Sequence, residues 1–470
     1  MISDLPLSIS GLHKNLLAHK YSAVDLVDTY LSRINAFDKN INSFITVTDD
    51  LAYSQAKIAD RLISDLGKDA FKEYPLLGVV VAYKDLFNID GVRTTAGSKV
   101  LENYTAQYSA TSVKRMQKAG AICIGKTNLD AWGHGSSGEN SDFGPTKNPW
   151  NLEYVPGGSS SGSAAAVAAN FALASTGTDT GSSVRLPASF CNLVGLKPTY
   201  GAVSRWGVIA FASSLDTIGQ MTHTVSDNEK IFEIWKGSDD KDVNANYLKN
   251  AVPTKNKFTI GLPKEYFDDG VCSEVLANLE EVKKVYQKQN IKFKQISLPH
   301  TEYGTAVYYI TAFAEASSNL ARYDGVRFGN TRASFGPEAK RRIMLGSYVL
   351  SAGYRDQYYV KAMKVRSKII EDFKKAFTEV DAILAPVSPT PAFKLGQKTD
   401  DPLSMYLSDI FTVNANIAGV PGLSIPSGFS KSGLPIGYQL MGPKFSESTL
   451  YKLGKIYQSN TDYHLKKAIL

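Results

Sequence analysis

LLGVVVAY, residues 76–83, decides the fold, because it is a nearly continuous run of apolar and β-branched residues. Such a run is typical of a strand that is buried on both faces of a sheet. A helical pattern follows over residues 111–119, Gly120 is suited to end that helix, and residues 121–124 predict a second short strand. This strand-helix-strand unit predicts an α/β fold with a mixed or parallel sheet.

The same alternation extends to both sides of this unit. Upstream, an S-x-x-D pattern begins at Ser22 and apolar residues follow at helical spacing, which predicts a helix over residues 22–36. No repeat or low-complexity linker divides the chain. We therefore expect one domain over residues 1–470, with a central mixed β-sheet covered by helices on both faces. Further strands are predicted over 257–262, 291–296 and 380–384, and further helices over 273–289 and 356–377.

Composition indicates an ordinary globular protein rather than a disordered or collagen-like one, since 43% of the 470 residues are hydrophobic and 21% are charged. The net charge of +7 is spread along the chain without a dense basic run. This pattern favours a solvated lysine-rich surface over a nucleic-acid groove, although an acidic partner stays open.

The cysteines and the apolar segments indicate the cellular compartment in which the protein is expected. Cys123, Cys191 and Cys272 lie far apart with no C-x-x-C pair, which argues against a zinc site or a disulfide framework and favours a reducing environment. No apolar run reaches about 18 residues, and the N-terminus lacks a secretion pattern. We expect a cytoplasmic protein with no membrane span.

The densest unusual segment is PGGSSSGSAAAVAANFALASTGTDTGSSVRLPASFCNLVGLKPT, residues 156–199. Its glycine-serine loop precedes an alanine-rich helix, and a helix N-terminus offers free N–H groups to a developing anion. Residues 158–162 match G-x-S-x-G, but no buried strand precedes them. Residues 179–182 match D-T-G-S without the second aspartate loop that an aspartic protease needs. No lysine follows the glycines, so the segment is not a phosphate loop.

A serine nucleophile in this segment would need a base, and Lys84 is a candidate. The six histidines stand in no catalytic or metal-ligand spacing. Lys84 follows the apolar run, where desolvation can bring a lysine pKa toward about 7–8 and leave a neutral, proton-accepting amine. From the strand alone, a lysine that reaches water is the competing interpretation.

The ordered segments VAYKDL, PGGSSSGSAAAVA, DTGSSVRLPASFCNLVGLKPTYG and SSLDTIG resemble the amidase-signature family in order and spacing. The resemblance places the signature core at about residues 75–225. It implies a catalytic set of Lys84, Ser159 in a cis peptide, and the nucleophile Ser183, without a metal. Ser183 would attack an amide carbonyl, and Ser159 would relay the proton to Lys84.

The resemblance also implies an oxyanion hole made by the backbone N–H groups of Thr180, Gly181, Ser182 and Ser183. The family usually has glycine where this chain has Ser182. Glycine tolerates a positive φ far better than serine does, so a turn that required positive φ there would be strained.

Within this family, GENSDFGPTKNPW, EASSNLARYDGVRFG, KRRIMLGSYVLSAGY, MYLSDIFTVNANIAGVPGLSIPSG and GYQLMGP resemble the A subunits of tRNA-dependent amidotransferases. Those subunits hydrolyse glutamine. The resemblance implies that Arg342 binds the α-carboxylate and Asp409 the α-ammonium, with Tyr309 as a third contact. By this resemblance, the chain is shorter than those subunits after Asn330, in a region near the implied glutamine-binding residues.

The resemblance further implies a heterotrimer with B and C subunits. Aminoacyl-tRNA would bind through the B subunit, and ATP and Mg²⁺ would belong to that partner, with no cofactor in this chain. Glu-tRNA and Asp-tRNA both stay open as acceptors. The alternatives are a stand-alone amidase of the same family and a catalytically inactive scaffold.

Overall fold

The protein is described by a computed structural model over residues 2, 4–247, 255, 257–267, 270–327 and 329–470. The eleven strands in these residues form one sheet. They are β1 (Phe44–Val47), β2 (Val80–Lys84), β3 (Ile122–Thr127), β4 (Ala174–Asp179), β5 (Val194–Lys197), β6 (Thr217–Thr222), β7 (Thr259–Pro263), β8 (Lys292–Ile296), β9 (Ala382–Pro386), β10 (Gly422–Phe429) and β11 (Pro435–Met441).

Fifteen α-helices accompany the sheet in the described residues, and a π-helical turn, Asp356–Val360, leads directly into the twelfth. None of these helices combines the length and the apolar composition needed to cross a bilayer. They are α1 (Ile9–Leu17), α2 (Ala23–Ile41), α3 (Asp49–Leu66), α4 (Ala70–Glu73), α5 (Thr111–Lys118), α6 (Ser161–Ala168), α7 (Arg185–Phe190), α8 (Val225–Trp235), α9 (Ser273–Lys288), α10 (Gly304–Leu320), α11 (Pro337–Leu350), α12 (Lys361–Ala376), α13 (Pro402–Leu407), α14 (Val413–Ala418) and α15 (Glu447–Gln458).

The sheet is mixed, with strand order β1-β3-β2-β4-β6-β5-β10-β11-β9-β7-β8. Parallel pairs lie toward its two ends, β3-β2-β4 on one side and β9-β7-β8 on the other. The strands between them pair antiparallel. Every residue of β2, β4, β5, β6, β9 and β11 is buried, as expected where helices cover both faces. The predicted fold class is confirmed.

The structure corrects the bounds of the decisive strand. Strand β2 begins only at Val80, because Gly78 has φ +76° and the segment before it forms a turn, in which Val79 N–H donates to the Leu76 carbonyl. Leu76 and Leu77 are nevertheless buried in the main core. The apolar run therefore indicated burial over its whole length, whereas strand geometry covers only its second half.

The predicted helix at residues 22–36 is α2, which continues to Ile41. Ser22 and Asp25 form the reciprocal capping box that the S-x-x-D pattern predicted, and Asn42 ends the helix in the left-handed conformation. The extra turn buries Ile41 against the core. Sequence patterns locate the apolar stripe of a helix better than its last turn.

The topology places two strand ends beside each other. β2 and β4 are parallel neighbours, so their carboxyl ends lie at the same edge of the sheet. Lys84 is the last residue of β2 and Asp179 is the last residue of β4. The glycine-serine loop that precedes α6 and the turn that precedes α7 both meet at this edge.

Candidate active site

The Lys84 side chain is completely buried and surrounded by hydroxyl groups. Its Nζ lies 2.8 Å from Ser159 Oγ, 3.0 Å from Ser160 Oγ and 2.9 Å from Thr178 Oγ1. The Lys84 backbone N–H donates to Thr176 Oγ1. Thr176 and Thr178 point to the same face of β4 because side chains alternate along a strand, and this face presents both hydroxyls to the lysine.

The environment of Lys84 favours its neutral form. Burial lowers the pKa of Lys84 from 10.5 to about 7, and the carboxylates of Asp130, Asp179 and Asp216 oppose that effect only in part. Lys126 is a fully buried lysine with a different role, since its Nζ lies 2.7 Å from the Asp85 carboxylate. Among the described residues, the hydrogen-bond partners of the Lys84 amine are all hydroxyl groups, so this amine can accept a proton near neutral pH.

Ser159 follows a cis peptide bond, Gly158–Ser159, as the family resemblance implied. Asp130 holds this segment, because its backbone N–H donates to the Ser159 carbonyl oxygen at 3.1 Å. A Cβ at Gly158 would collide with the Asp130 carboxylate, so only glycine fits there. Burial raises the pKa of Asp130 to about 6, although the N–H groups of Asn140 and Gly138 stabilise its charged form.

The turn from Thr180 to Ser183 is fastened at its start and end. The Arg185 guanidinium forms a buried bidentate ion pair with Asp179, with N–O distances of 3.0 Å, and also donates to the Gly181 carbonyl at 2.9 Å. The Thr180 hydroxyl donates to Asp216 at 2.7 Å. Burial alone would raise the pKa of Asp179, but Arg185 holds it below its ordinary value.

This arrangement leaves the backbone donors of the turn available. The N–H groups of Gly181, Ser182 and Ser183 donate to no acceptor within the described residues. Ser160 N–H donates to the Ser183 carbonyl at 3.2 Å, which holds the segment of Ser183 against the loop that carries Ser159. Ser182 does not have a positive φ, so serine is unstrained at this position.

Asp409 lies directly behind the turn. Its two carboxylate oxygens accept hydrogen bonds from the Ser182 hydroxyl at 2.5 Å and from the Ser136 hydroxyl at 2.6 Å. Burial raises the pKa of Asp409 to about 6, and the two hydroxyls oppose that rise. Asp409 is thus joined to the turn rather than exposed as a solvated helix charge.

A cavity of about 230 Å³ is lined by Arg342, Tyr309 and Ser136 among others. Arg342 is 3% exposed and packs its guanidinium over the rings of Tyr309, Phe313 and Phe211 at 5.4–5.7 Å. Its Nε donates to Glu338 on the same helix. The structure therefore brings Arg342 and Tyr309 to one cavity, and Ser136 links that cavity to Asp409.

Comparison with known proteins decides the family. The amidase family model matches residues 25–451 of the chain. The chain belongs to the amidase family. It is 49% identical to the A subunit of the glutamyl-tRNA(Gln) amidotransferase from Geotalea daltonii, and the match covers 99% of both chains.

Solved structures agree with this family assignment. The crystal structure of the glutamyl-tRNA(Gln) amidotransferase A subunit from Thermotoga maritima matches with a TM-score of 0.80 and 39% identity, covering 97% of this chain and 96% of that one. The native peptide amidase of Stenotrophomonas maltophilia matches with a TM-score of 0.81 and 28% identity, covering 97% and 96%. The predicted resemblance to the amidase-signature family is confirmed.

Sequence reasoning missed several residues of this amidase-family site. Thr178 and Ser160 contact the lysine, and Ser136 contacts Asp409. The alternating threonines in ASTGTD, residues 174–179, were a usable signal, because polar side chains in a fully buried strand need partners. Ser136 carried no such signal, since its partner is 273 residues away. The described residues hold no cluster of three His, Cys, Asp or Glu side chains able to bind a metal.

Proposed function

We propose that this chain is the glutamine-hydrolysing subunit of a tRNA-dependent amidotransferase, supplying ammonia to convert Glu-tRNA(Gln) to Gln-tRNA(Gln). The observation that carries the proposal is the buried Lys84–Ser159 hydrogen bond beside the Ser183 turn. Full-length similarity to glutamyl-tRNA(Gln) amidotransferase A subunits supports the choice of substrate and pathway step. The acceptor Asp-tRNA(Asn) is chemically equivalent for this site, because ammonia is the product that passes on to the acceptor.

The first half of the reaction forms an acyl-enzyme. Ser183 Oγ attacks the side-chain amide carbon of glutamine, Ser159 takes the Ser183 proton, and Ser159 passes its own proton to neutral Lys84. The same relay then returns a proton to the amide nitrogen. The C–N bond breaks, ammonia departs, and a glutamyl ester remains on Ser183.

The second half uses the same groups in reverse. A water molecule gives its proton through Ser159 to Lys84 and attacks the ester carbonyl, releasing glutamate and restoring Ser183. In both halves the carbonyl oxygen becomes negative. The N–H groups of Gly181, Ser182 and Ser183, which no described acceptor uses, with that of Thr180 would stabilise this charge.

Recognition of glutamine falls to the cavity lined by Arg342, Tyr309 and Ser136, which Asp409 connects to the turn. Arg342 presents its guanidinium for the α-carboxylate, and Asp409 presents a carboxylate for the α-ammonium. Tyr309 borders the same cavity and packs under Arg342. Both charged groups are almost completely buried, so their interactions with a bound amino acid are weakly screened.

The remaining steps of transamidation belong to partners. The related proteins are named as one lettered subunit of an amidotransferase, which indicates a complex of several subunits. We assign ATP and Mg²⁺ binding and aminoacyl-tRNA binding to the B subunit, with a C subunit completing a cytoplasmic heterotrimer. Direct transfer of ammonia within the complex is favourable, because ammonia released to water near neutral pH becomes mostly non-nucleophilic ammonium.

The test is reconstitution of the complex with Ser183→Ala and either glutamine or ammonium chloride. Glutamine-dependent amidation of the aminoacyl-tRNA should be lost, while high ammonium still supports amidation, because the change removes only the ammonia source. Loss of activity with both nitrogen donors would contradict the assignment of Ser183 as the nucleophile of a glutaminase site.

Similarity to the Stenotrophomonas maltophilia peptide amidase favours a stand-alone amidase as the second candidate. That function requires no partner and gives Arg342 and Asp409 no amino-acid ends to bind in a simple amide. Full-rate amide hydrolysis by the isolated chain, without binding of B and C subunits, would select it. A purely structural role would leave the wild-type complex without glutaminase activity.

A further inference from the structure

A direct hydrogen bond joins the turn that carries Ser183 to Asp409, the residue proposed to bind the substrate α-ammonium. Ser182 stands between Gly181 and Ser183, and its hydroxyl donates to Asp409 Oδ1 at 2.5 Å. The two residues are 227 positions apart in the chain, 1% and 3% exposed respectively. The Ser182 side chain therefore connects the proposed substrate-binding carboxylate to the turn proposed to contact the reacting carbonyl.

Asp409 has the capacity to hold this bond and a ligand together. A carboxylate offers about four lone-pair positions, and the hydroxyls of Ser182 and Ser136 use two of them. An ammonium group arriving from the cavity would take another. An ammonium held by a charge-assisted hydrogen bond would fix the position of the Asp409 carboxylate, and the Ser182 hydroxyl is hydrogen-bonded to that same carboxylate.

The same serine contributes its backbone to the turn. Ser182 N–H donates to no described acceptor, and the carbonyl of the preceding Gly181 is held by Arg185 at 2.9 Å. The Ser182 hydroxyl is the direct side-chain link from this turn to Asp409, whereas Arg185 connects the Gly181 carbonyl to Asn416 on α14. A small shift of Asp409 would move the Ser182 N–H, which is proposed to face the developing oxyanion. Stabilisation of the oxyanion depends on the distance and direction of such donors.

We infer that Ser182 is a positioning residue that couples occupancy of Asp409 by the substrate α-ammonium to the alignment of the oxyanion turn. The inference rests on the proposed function, in which Asp409 binds that ammonium. A glutamine-like amide that carries the α-ammonium would then be hydrolysed faster at saturation than one without it. Ser182 thus acts as a specificity determinant that works through kcat.

Ser136→Ala provides a matched control. It removes one hydroxyl hydrogen bond from the other oxygen of Asp409, but Ser136 lies in the segment between β3 and α6 and not in the turn. Both variants should loosen Asp409 and raise KM for glutamine. Only Ser182→Ala should also uncouple the turn from Asp409 and lower kcat on glutamine, by a factor comparable to the rise in KM.

The experiment measures steady-state kinetics of the assembled complex on glutamine and on glutaramate, which is glutamine without its α-amino group. We expect Ser182→Ala to lower kcat on glutamine about tenfold or more, which is the usual effect of losing one hydrogen bond to a charged group. The kcat of this variant on glutamine should then equal the wild-type kcat on glutaramate. On glutaramate the same variant should change kcat less than about twofold, because no ammonium engages Asp409. Ser182→Gly, which also lacks the hydroxyl, should show the same pattern.

Equal losses of kcat on the two substrates would overturn the coupling and leave Ser182 as a support of the turn. Equal losses of kcat on glutamine in Ser182→Ala and Ser136→Ala would overturn it as well. If the wild-type kcat were the same for glutamine and glutaramate, the coupling would again be refuted. The proposed function fails by a separate result, in which ammonium does not support aminoacyl-tRNA amidation by the Ser183→Ala complex.

Discussion

In the proposed mechanism, the ionisation of Lys84 determines the pH range in which the site can work. Burial lowers the pKa of Lys84 to about 7, so about half of the molecules carry the neutral amine at pH 7. A lysine that kept the ordinary value of 10.5 would be neutral there in only about one molecule in 3000. The buried setting therefore increases the amount of available base about a thousandfold.

The sign of the pH dependence follows from the need for the neutral form. Activity should rise with pH through about 7 and level off above about pH 8, with close to a tenfold loss in kcat/KM between pH 7.5 and pH 6. Lys84→Arg should lower kcat/KM by at least about a hundredfold at every pH, because arginine does not release its proton in this range. The assay is glutaminase activity of the assembled complex from pH 5.5 to 9.

Lys126→Arg is the matched control for placing a guanidinium in the core, since Lys126 is equally buried but paired with Asp85. A folded Lys126→Arg variant should keep the wild-type pH profile. Wild-type turnover by folded Lys84→Arg, or a wild-type profile that still rises steeply between pH 8 and 9, would refute the reasoning. Circular dichroism and thermal melting establish that each variant is folded.

Other predictions concern recognition and the frame of the site. Truncating Arg342 or Asp409 to alanine should lower kcat/KM for glutamine about ten- to hundredfold and that for butyramide far less, because only glutamine offers charged partners; equal losses would make these residues structural. Burial raises the pKa of Asp409 to about 6, so the ratio of kcat/KM for glutamine to that for glutaramate should fall as the pH drops through 6 and the carboxyl becomes neutral. A ratio that is independent of pH would exclude Asp409 as the ammonium partner. Arg185→Leu should lower the free energy of unfolding by about 3–5 kcal/mol in denaturant titration, since it leaves buried Asp179 unpaired; a loss below about 1 kcal/mol would show that the pair contributes little.

Local patterns predicted the parts of this protein that depend on neighbouring residues. The apolar run before Lys84 indicated a buried strand, and burial at its end is the physical cause of the lowered pKa of that lysine. The capping pattern at Ser22 predicted the start of α2. Motif order and spacing indicated the family, and the comparisons confirm it. These signals are readable in sequence because each arises within one strand, helix or loop.

Tertiary structure alone decided which groups meet. Thr178 reaches the Lys84 amine because β2 and β4 are paired in the sheet, and Asp409 reaches Ser182 across 227 residues of chain. The turn at Gly78 likewise shortened a strand whose apolar composition continues through it. Hydrophobic periodicity specifies which face of an element is buried, but the partner of each buried polar atom depends on strand order and helix packing. The sequence therefore indicated the lysine and serines proposed for the site, whereas the hydroxyl groups around Lys84 and the hydrogen bond from Ser182 to Asp409 depend on the folded chain.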